Sequence, residues 1–263
     1  MKLHITNGDS VVGTLQDSFP GDTILPWRDV LHDGPVPAGR PLSEFSAVRA
    51  HFLAAESGLP YAQVLSEFQE RDGLLARYAE FDETVLWFEH DLYDQLQLIQ
   101  ILDWFATQAA DAPNLRLIQA DDYLGRMEPA HFTELYPARQ AVSAAQLSLA
   151  SAAWLAVRSA DPAELEPLLV PNTELPFLAA ALTRLCEEYP WTTDGLSRTQ
   201  RTIRELKNQG ITDRADLFTA FTRQEEAIWM GDWSFFRVLD GEPPRGTGWQ
   251  WNATLRRFES HPS

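Results

Sequence analysis

The chain has 263 residues, of which 44% are apolar, so it is long and apolar enough for one large folded domain or two small ones. Its 38 acidic and 21 basic residues give a net charge of −17, which would repel nucleic acids and anionic membranes. No apolar run reaches the ~18 residues of a membrane span, and the start reads as a strand rather than a leader. Cys186 is the only cysteine, and its apolar helical setting predicts a buried thiol in a cytoplasmic protein.

The first half of the chain alternates short apolar segments with amphipathic ones. The apolar segments predict strands at Leu3–Thr6, Thr23–Leu25, Thr84–Phe88 and Leu115–Gln119. The amphipathic segments predict helices at Ser10–Leu15, Ser43–Ser57 (capped by Ser43), Tyr61–Tyr78 and Asp91–Ala106. This alternation predicts an α/β, Rossmann-like domain with a mostly parallel sheet over residues 1–140.

Strand signals fade after residue 140. Helices are predicted at Ser143–Arg158, Asp161–Leu169 and Glu174–Tyr189, which form an all-helical connecting segment over residues 141–191. The last part, residues 192–263, combines three predicted helices with two predicted strands. They lie at Leu196–Gln209, Asp213–Phe221, Asp232–Leu239, Trp249–Trp251 and Thr254–Phe258. This order predicts a small winged-helix-like module.

Polar clusters follow each predicted strand of the first half. The residues concerned are Asn7-Gly8-Asp9-Ser10, Pro26-Trp27-Arg28-Asp29 with His32-Asp33-Gly34, Glu89-His90-Asp91 with Asp94 and Gln95, and Asp121-Asp122. In an open parallel sheet the carboxyl ends of the strands point the same way, and ligands bind in the crevice outside them. The clusters are therefore expected to meet at one rim of the sheet.

Two of these clusters suit an anionic ligand. Gly8 and the free N–H groups of the following helix could hold a phosphate with Asn7, although Asp9 or Ser10 could instead simply cap that helix. The guanidinium of Arg28 suits bidentate capture of a phosphate or carboxylate. Trp27 could stack on a base at such a site, and the alternative interpretation is a core residue.

His90 is the candidate acid/base residue. Negative charge from Glu89 and Asp91 on both sides stabilises a protonated imidazole, which suits proton transfer, and His32 is its possible counterpart. A structural, hydrogen-bonded role for His90 is the alternative. Glu89, His90 and Asp94 form only a partial ligand set for a divalent cation, so no metal site and no particular cofactor are predicted.

A basic stripe recurs every three residues in the first predicted helix of the C-terminal module. It consists of Arg198, Arg201, Arg204 and Lys207, and it either faces a phosphate backbone or is an ordinary solvated face. The third helix of the module offers only Arg237 for reading bases, so nucleic-acid binding is not expected from it.

Three motifs in the first half give the chain a family resemblance. They are Leu3–Ser10, the loop from Trp27 to Pro35, and Leu86–Leu96. They resemble a bacterial family catalogued only as domain of unknown function 1835, and the stretches Gly195–Thr199 and Met230–Phe235 resemble the C-terminal part of the same proteins. The resemblance covers most of the chain and implies a bacterial intracellular protein. It implies no activity and no catalytic residues.

These observations favour a protein that binds or processes a small phosphorylated or nucleotide-like ligand at the sheet rim, with His90 as acid/base. The alternative is a non-catalytic regulator that senses a ligand and contacts another protein. DNA binding through the C-terminal module is the least favoured function, and no membrane partner is expected. The sequence gives no prediction of the oligomeric state.

Overall fold

The structure, a computed structural model, describes residues 1–108, 114–246 and 248–260. The chain divides into two compact units. The first unit consists of Met1–His90 and Asp94–Arg158, and the second consists of Asp91–Tyr93 and the residues from Ser159 onward. The first unit therefore includes the helix predicted at Ser143–Arg158.

The first unit is built on a mostly parallel sheet. Its strands are β1 (Leu3–Asn7), β2 (Thr23–Trp27), β3 (Thr84–Phe88), β4 (Leu115–Gln119) and β5 (Gln140–Ala141). They lie in the order β2-β1-β3-β4-β5, with the first four parallel and β5 antiparallel to β4. The predicted α/β class and mostly parallel sheet are confirmed. β5 was not predicted because two exposed residues carry no apolar pattern.

Helices connect the strands of the first unit. They are α1 (Val12–Ser18), α2 (Leu42–Ser57), α3 (Tyr61–Ala76), α4 (Leu92–Thr107), α5 (Pro129–Leu135) and α6 (Ala144–Val157), with 3-10 turns at Tyr78–Glu80, Leu124–Arg126 and Tyr136–Ala138. The predicted helices are confirmed with small shifts, and α5 was not predicted. The predicted Ser43 cap is wrong, because α2 already begins at Leu42 after Pro41. Ser143 does cap α6, in a reciprocal pair of hydrogen bonds with Gln146.

The central strands β1 and β3 are buried along their whole length. One face of the sheet packs against α1 and α5 through a cluster that includes Leu15, Val85, Trp87, Ile118 and Phe132. Strands that are buried on both faces are nearly continuous apolar runs, which is why Thr84–Phe88 and Leu115–Gln119 were recognisable in the sequence with their correct bounds.

The two edges of the sheet are unlike the central strands. β2 pairs only with β1 and contains Pro26, which has no N–H to offer to a further strand. At the opposite edge, β5 is two residues long and exposed.

The second unit is mainly helical. It contains a 3-10 helix at Pro162–Leu168, then α7 (Leu178–Cys186), α8 (Arg198–Asn208), α9 (Arg214–Thr222) and α10 (Asp232–Leu239), and an antiparallel pair formed by β6 (Trp249–Asn252) and β7 (Arg257–Ser260). The predicted order of helices and strands is confirmed, although β7 begins three residues later than predicted because Thr254–Arg256 form the turn.

Two further expectations concern the cysteine and membrane-spanning helices. Cys186 is fully buried, and burial raises the pKa of its thiol, as expected for a core residue rather than a nucleophile. Of the helices in the described ranges, none combines the length and the apolar composition of a membrane span.

Candidate functional site

The strand order reverses between β1 and β3. From β1 the chain passes through α1 to β2 on one side, and it then returns through α2 and α3 to β3 on the other side. In open α/β sheets, ligands bind outside the carboxyl ends of the strands at such a reversal. Asn7 is the last residue of β1, and Glu89 directly follows β3, so both lie at this position.

Asp94 joins the ends of these two strands. Its side chain is fully buried near the start of α4. One carboxylate oxygen, Oδ2, accepts a hydrogen bond from Asn7 Nδ2, and the other, Oδ1, accepts one from the backbone N–H of Glu89 at 2.7 Å. The sequence placed Asp94 in the ligand-binding set, and the structure gives it a role in holding β1 and β3 in register at the rim.

Glu89 is also buried, and both its backbone and its side chain make hydrogen bonds. Its carbonyl oxygen accepts a hydrogen bond from Gln95 Nε2 at 2.7 Å, and its Oε1 accepts one from the backbone N–H of Leu124 at 2.7 Å. The carboxylates of Glu89 and Asp94 approach within 4.8 Å of each other. Carboxylate oxygens are the hard ligands that Mg²⁺ or Ca²⁺ prefers, and these two residues supply ligands of that kind.

His90 follows Glu89 and is partly exposed. Its ring lies 5.1 Å from the ring of Tyr123, which belongs to the loop after β4. Asp91, the next residue, directly precedes α4 and is buried, and its contacts assign it to the second unit. His90 is thus partly exposed at the end of β3, although its ring nitrogen Nδ1 is buried.

The loop from β1 to α1 contains the predicted anion-binding residues. Gly8 has a φ of 37°, and its N–H donates to the carbonyl oxygen of Trp27. Asp9 and Ser10 are exposed, and neither caps α1, because the N-cap residue is Val11. The capping alternative for Asp9 and Ser10 is therefore wrong, and both side chains point to solvent-accessible space at the rim.

Arg28 and Asp9 form an ion pair across the ends of β1 and β2. The guanidinium binds the carboxylate in a bidentate manner, with Nε–Oδ2 and Nη2–Oδ1 distances of 2.8 and 2.6 Å. Hydrogen bonding from Arg28 lowers the pKa of Asp9, and the pair is more than half exposed. Asp9 therefore balances Arg28 and would itself repel a phosphate.

Trp27, predicted as a ligand-binding residue, packs instead in the core. It is fully buried, its Nε1 donates to Gln100 Oε1 at 2.8 Å, and the guanidinium of Arg71 lies 3.8 Å from the centroid of its ring. A ring that is enclosed in this way has no open face on which a base could stack, so Trp27 is excluded from the site.

Arg49 organises the loop that follows β2. Its fully buried guanidinium binds Asp29 Oδ1 at 2.9 Å and donates to the carbonyl oxygens of Val30, Asp33 and Pro35. His32 lies within this loop, almost completely buried, with Nε2 3.7 Å from Asp33 Oδ2. The loop is thus fixed in place, and with it the segment that carries Arg28 and His32.

Sequence reasoning missed most of the polar side chains that support the rim. Three glutamines of α4 are buried and bind the ends of β2 and β3, and only the first of them was recognised as part of a polar cluster; they are Gln95, Gln97 and Gln100. The signal was present, because glutamine at three buried positions of an otherwise apolar helix needs specific partners. An arginine between Phe45 and Phe52 on the apolar face of α2 was a similar signal for Arg49.

In the second unit, the basic stripe on α8 is largely neutralised. Arg198 pairs with Glu187 and Glu226, and Arg201 and Arg204 both pair with Asp194. These ion pairs leave little positive charge for a phosphate backbone, which supports the interpretation of the stripe as an ordinary polar face.

Comparisons with protein-family models, with curated proteins and with solved structures found no match to the chain. The resemblance to domain of unknown function 1835 therefore stays a prediction that rests on the motifs.

Proposed function

We propose that the first unit is a Rossmann-like domain that binds and processes a small phosphorylated or nucleotide-like ligand at the carboxyl rim of its sheet. One observation carries this proposal. The strand order reverses between β1 and β3, and Asn7, Glu89 and Asp94 are joined by hydrogen bonds at that reversal. Buried polar groups that are fixed in this way provide a rigid base on which a reacting side chain can be oriented.

His90 is the proposed general acid/base. It is the partly exposed residue that follows the anchored Glu89, and its ring is oriented by contact with Tyr123. Glu89 and Asp91 flank it in the chain, and both keep their proposed supporting roles. His32 is the proposed counterpart, held in a loop that Arg49 fixes.

Asn7, Gly8 and Ser10 are the proposed contacts for the anionic group, together with Arg28. The pairing of Arg28 with Asp9 modifies this proposal, because an incoming phosphate must displace the Asp9 carboxylate or bind beside the ion pair. Asp9 therefore tunes the charge of Arg28 and does not itself bind the anion.

A non-catalytic ligand sensor is the second candidate function. The observation that favours it is the engagement of Glu89 Oε1 and Asp94 Oδ1 by backbone N–H groups, which suits them to support rather than to proton transfer. In this proposal the second unit, with its winged-helix-like order of elements, contacts a protein partner. DNA binding is the least favoured function, since the α8 arginines are paired with carboxylates.

The test is a screen followed by one variant. The full chain is heated with nucleoside monophosphates, sugar phosphates or inorganic phosphate, and a binder present at about 100 times its Kd should stabilise the fold by about 2.7 kcal/mol. Each binder is then assayed for turnover with His90→Ala, which should slow turnover by a factor on the order of 10²–10⁴ and leave binding in place. His131→Ala, an exposed histidine on α5, is the matched control.

The possible results separate the candidates. Full turnover by His90→Ala would contradict the acid/base assignment, and tight binding without turnover in the natural sequence would favour the sensor. If no phosphorylated compound binds, the proposed ligand class is wrong.

A further inference from the structure

We infer that Arg126 supplies the positive charge that holds the anionic group of the ligand. This inference rests on the proposed function, which it deepens by naming a residue that the sequence did not single out. Arg126 ends the 3-10 turn Leu124–Arg126, which follows β4 at the carboxyl rim of the sheet.

Two contacts fix this turn against the neighbouring strands. The backbone N–H of Leu124, whose side chain is fully buried, donates to Glu89 Oε1 at the end of β3. Gly125 packs against the loop after β1, because a Cβ at this glycine would lie 3.4 Å from Cβ and Oγ of Ser10. Arg126 is therefore attached to a turn that touches the segments after both β1 and β3, the two strands that flank the reversal.

The guanidinium of Arg126 and the imidazole of His90 both contact the ring of Tyr123. The guanidinium lies 4.4 Å from the centroid of the Tyr123 ring, and that ring lies 5.1 Å from the imidazole of His90. A guanidinium in contact with an aromatic face is partly oriented while its N–H groups stay available to a ligand. Tyr123 thus connects the proposed anion contact to the proposed site of proton transfer.

Charge distinguishes Arg126 from Arg28. Arg126 is exposed, and within residues 1–108, 114–246 and 248–260 no carboxylate oxygen lies within 4.0 Å of its guanidinium. Arg28 is already balanced by Asp9. The exposed side chains of Asp121 and Asp122 precede the turn, so the general field there does not attract anions. A phosphate at this position needs a nearby cation, and the planar guanidinium of Arg126 can bind a phosphate through two N–H groups.

The experiment measures the affinity of the full chain for inorganic phosphate by calorimetric titration at constant ionic strength. Arg126→Gln should weaken binding by about 10- to 100-fold, because a hydrogen bond to a charged group is lost. The matched control is Arg77→Gln, which removes the same charge from an exposed arginine that precedes β3 and lies outside the proposed site. It should bind phosphate within about threefold of the natural sequence. Because both residues are exposed, thermal unfolding should confirm that each variant is folded.

The outcomes distinguish this inference from the proposed function. If Arg126→Gln binds phosphate as well as the natural sequence does, or if Arg77→Gln loses as much affinity as Arg126→Gln, the anion contact is not Arg126 and the inference is wrong, while the ligand class stands. If the natural sequence binds neither inorganic phosphate nor any phosphorylated compound of the screen, the inference and the proposed function both fail.

Discussion

Replacing Arg49 with methionine should destabilise the first unit strongly. The guanidinium is fully buried and makes hydrogen bonds of 2.7–3.0 Å to one carboxylate and three carbonyl oxygens of the loop after β2. Methionine fills a similar volume with an unbranched apolar chain, so the main loss is electrostatic rather than a cavity. The loop would then keep Asp29, a carboxylate that is 1% exposed, without its cation.

The cost follows from these contacts. Removing one partner of a buried ion pair costs about 3–5 kcal/mol, because the remaining charge is left in a poorly solvated position. The carbonyl oxygens that lose a donor add roughly 1 kcal/mol each where water does not replace it. We therefore expect Arg49→Met to lower the free energy of unfolding by at least about 4 kcal/mol, a large part of the ~5–15 kcal/mol of a typical domain.

Urea unfolding of the full chain measures this loss. Tryptophan fluorescence should be compared with circular dichroism, because two units can unfold in separate transitions. Arg40→Met is the matched control, since Arg40 is exposed and makes only a 3.4 Å contact with Glu44, and it should cost less than about 0.5 kcal/mol.

A double-mutant cycle tests the proposed cause. Combining Arg49→Met with Asp29→Leu removes the buried charge together with its partner, so the pair should cost less than the sum of the single changes by about 2 kcal/mol or more. Equal costs for Arg49→Met and Arg40→Met, or strict additivity in the cycle, would refute the reasoning.

Three further predictions concern stability. Asp94→Asn should cost about 1–3 kcal/mol in urea unfolding, because an amide N–H would then face a donor, either Asn7 Nδ2 or the Glu89 N–H; an unchanged midpoint would contradict the strand-joining role. Gly39→Ala should cost about 1 kcal/mol for its φ of 71°, and Gly34→Ala should cost more, because its Cβ would also lie 2.6 Å from the Phe52 ring; equal costs would argue against that contact. Burial lowers the pKa of His4, so the folded state binds its proton less readily than the unfolded state does. The free energy of unfolding should be at its full value above the unfolded pKa of about 6.5 and should decrease as the pH falls below that value. His4→Phe should make this decrease shallower. If the decrease is the same in that variant, another titrating group causes it.

The sheet was predictable because its signal is local. Buried parallel strands such as Thr84–Phe88 are continuous apolar runs, and the helices between them have an apolar face at regular spacing. The start of α6 was predictable because Ser143 caps the helix through reciprocal hydrogen bonds with Gln146, and such a pair depends only on neighbouring residues. α5 was missed because a seven-residue helix after a proline has too few turns to show a period.

The sequence predicted which residues lie at the rim, but it did not predict which of their side chains form ion pairs with each other. Polar residues after successive strands indicated that Asn7, Glu89 and Asp94 would meet, because parallel strands share one carboxyl edge. The bidentate pairing of Arg28 with Asp9 depends on how two loops approach each other, which no local pattern records. The burial of Trp27 also could not be decided from a local pattern, because it depends on which face of β2 the helices cover.

The borders of the sheet have a consequence for self-association. A strand from another molecule could extend this sheet only by hydrogen bonding along β2 or along β5. On β2, Pro26 interrupts the row of backbone N–H donors. The other edge strand, β5, has just two residues and runs antiparallel to β4. Both borders therefore resist intermolecular strand addition, which protects a protein rich in buried β-segments from aggregating through its backbone.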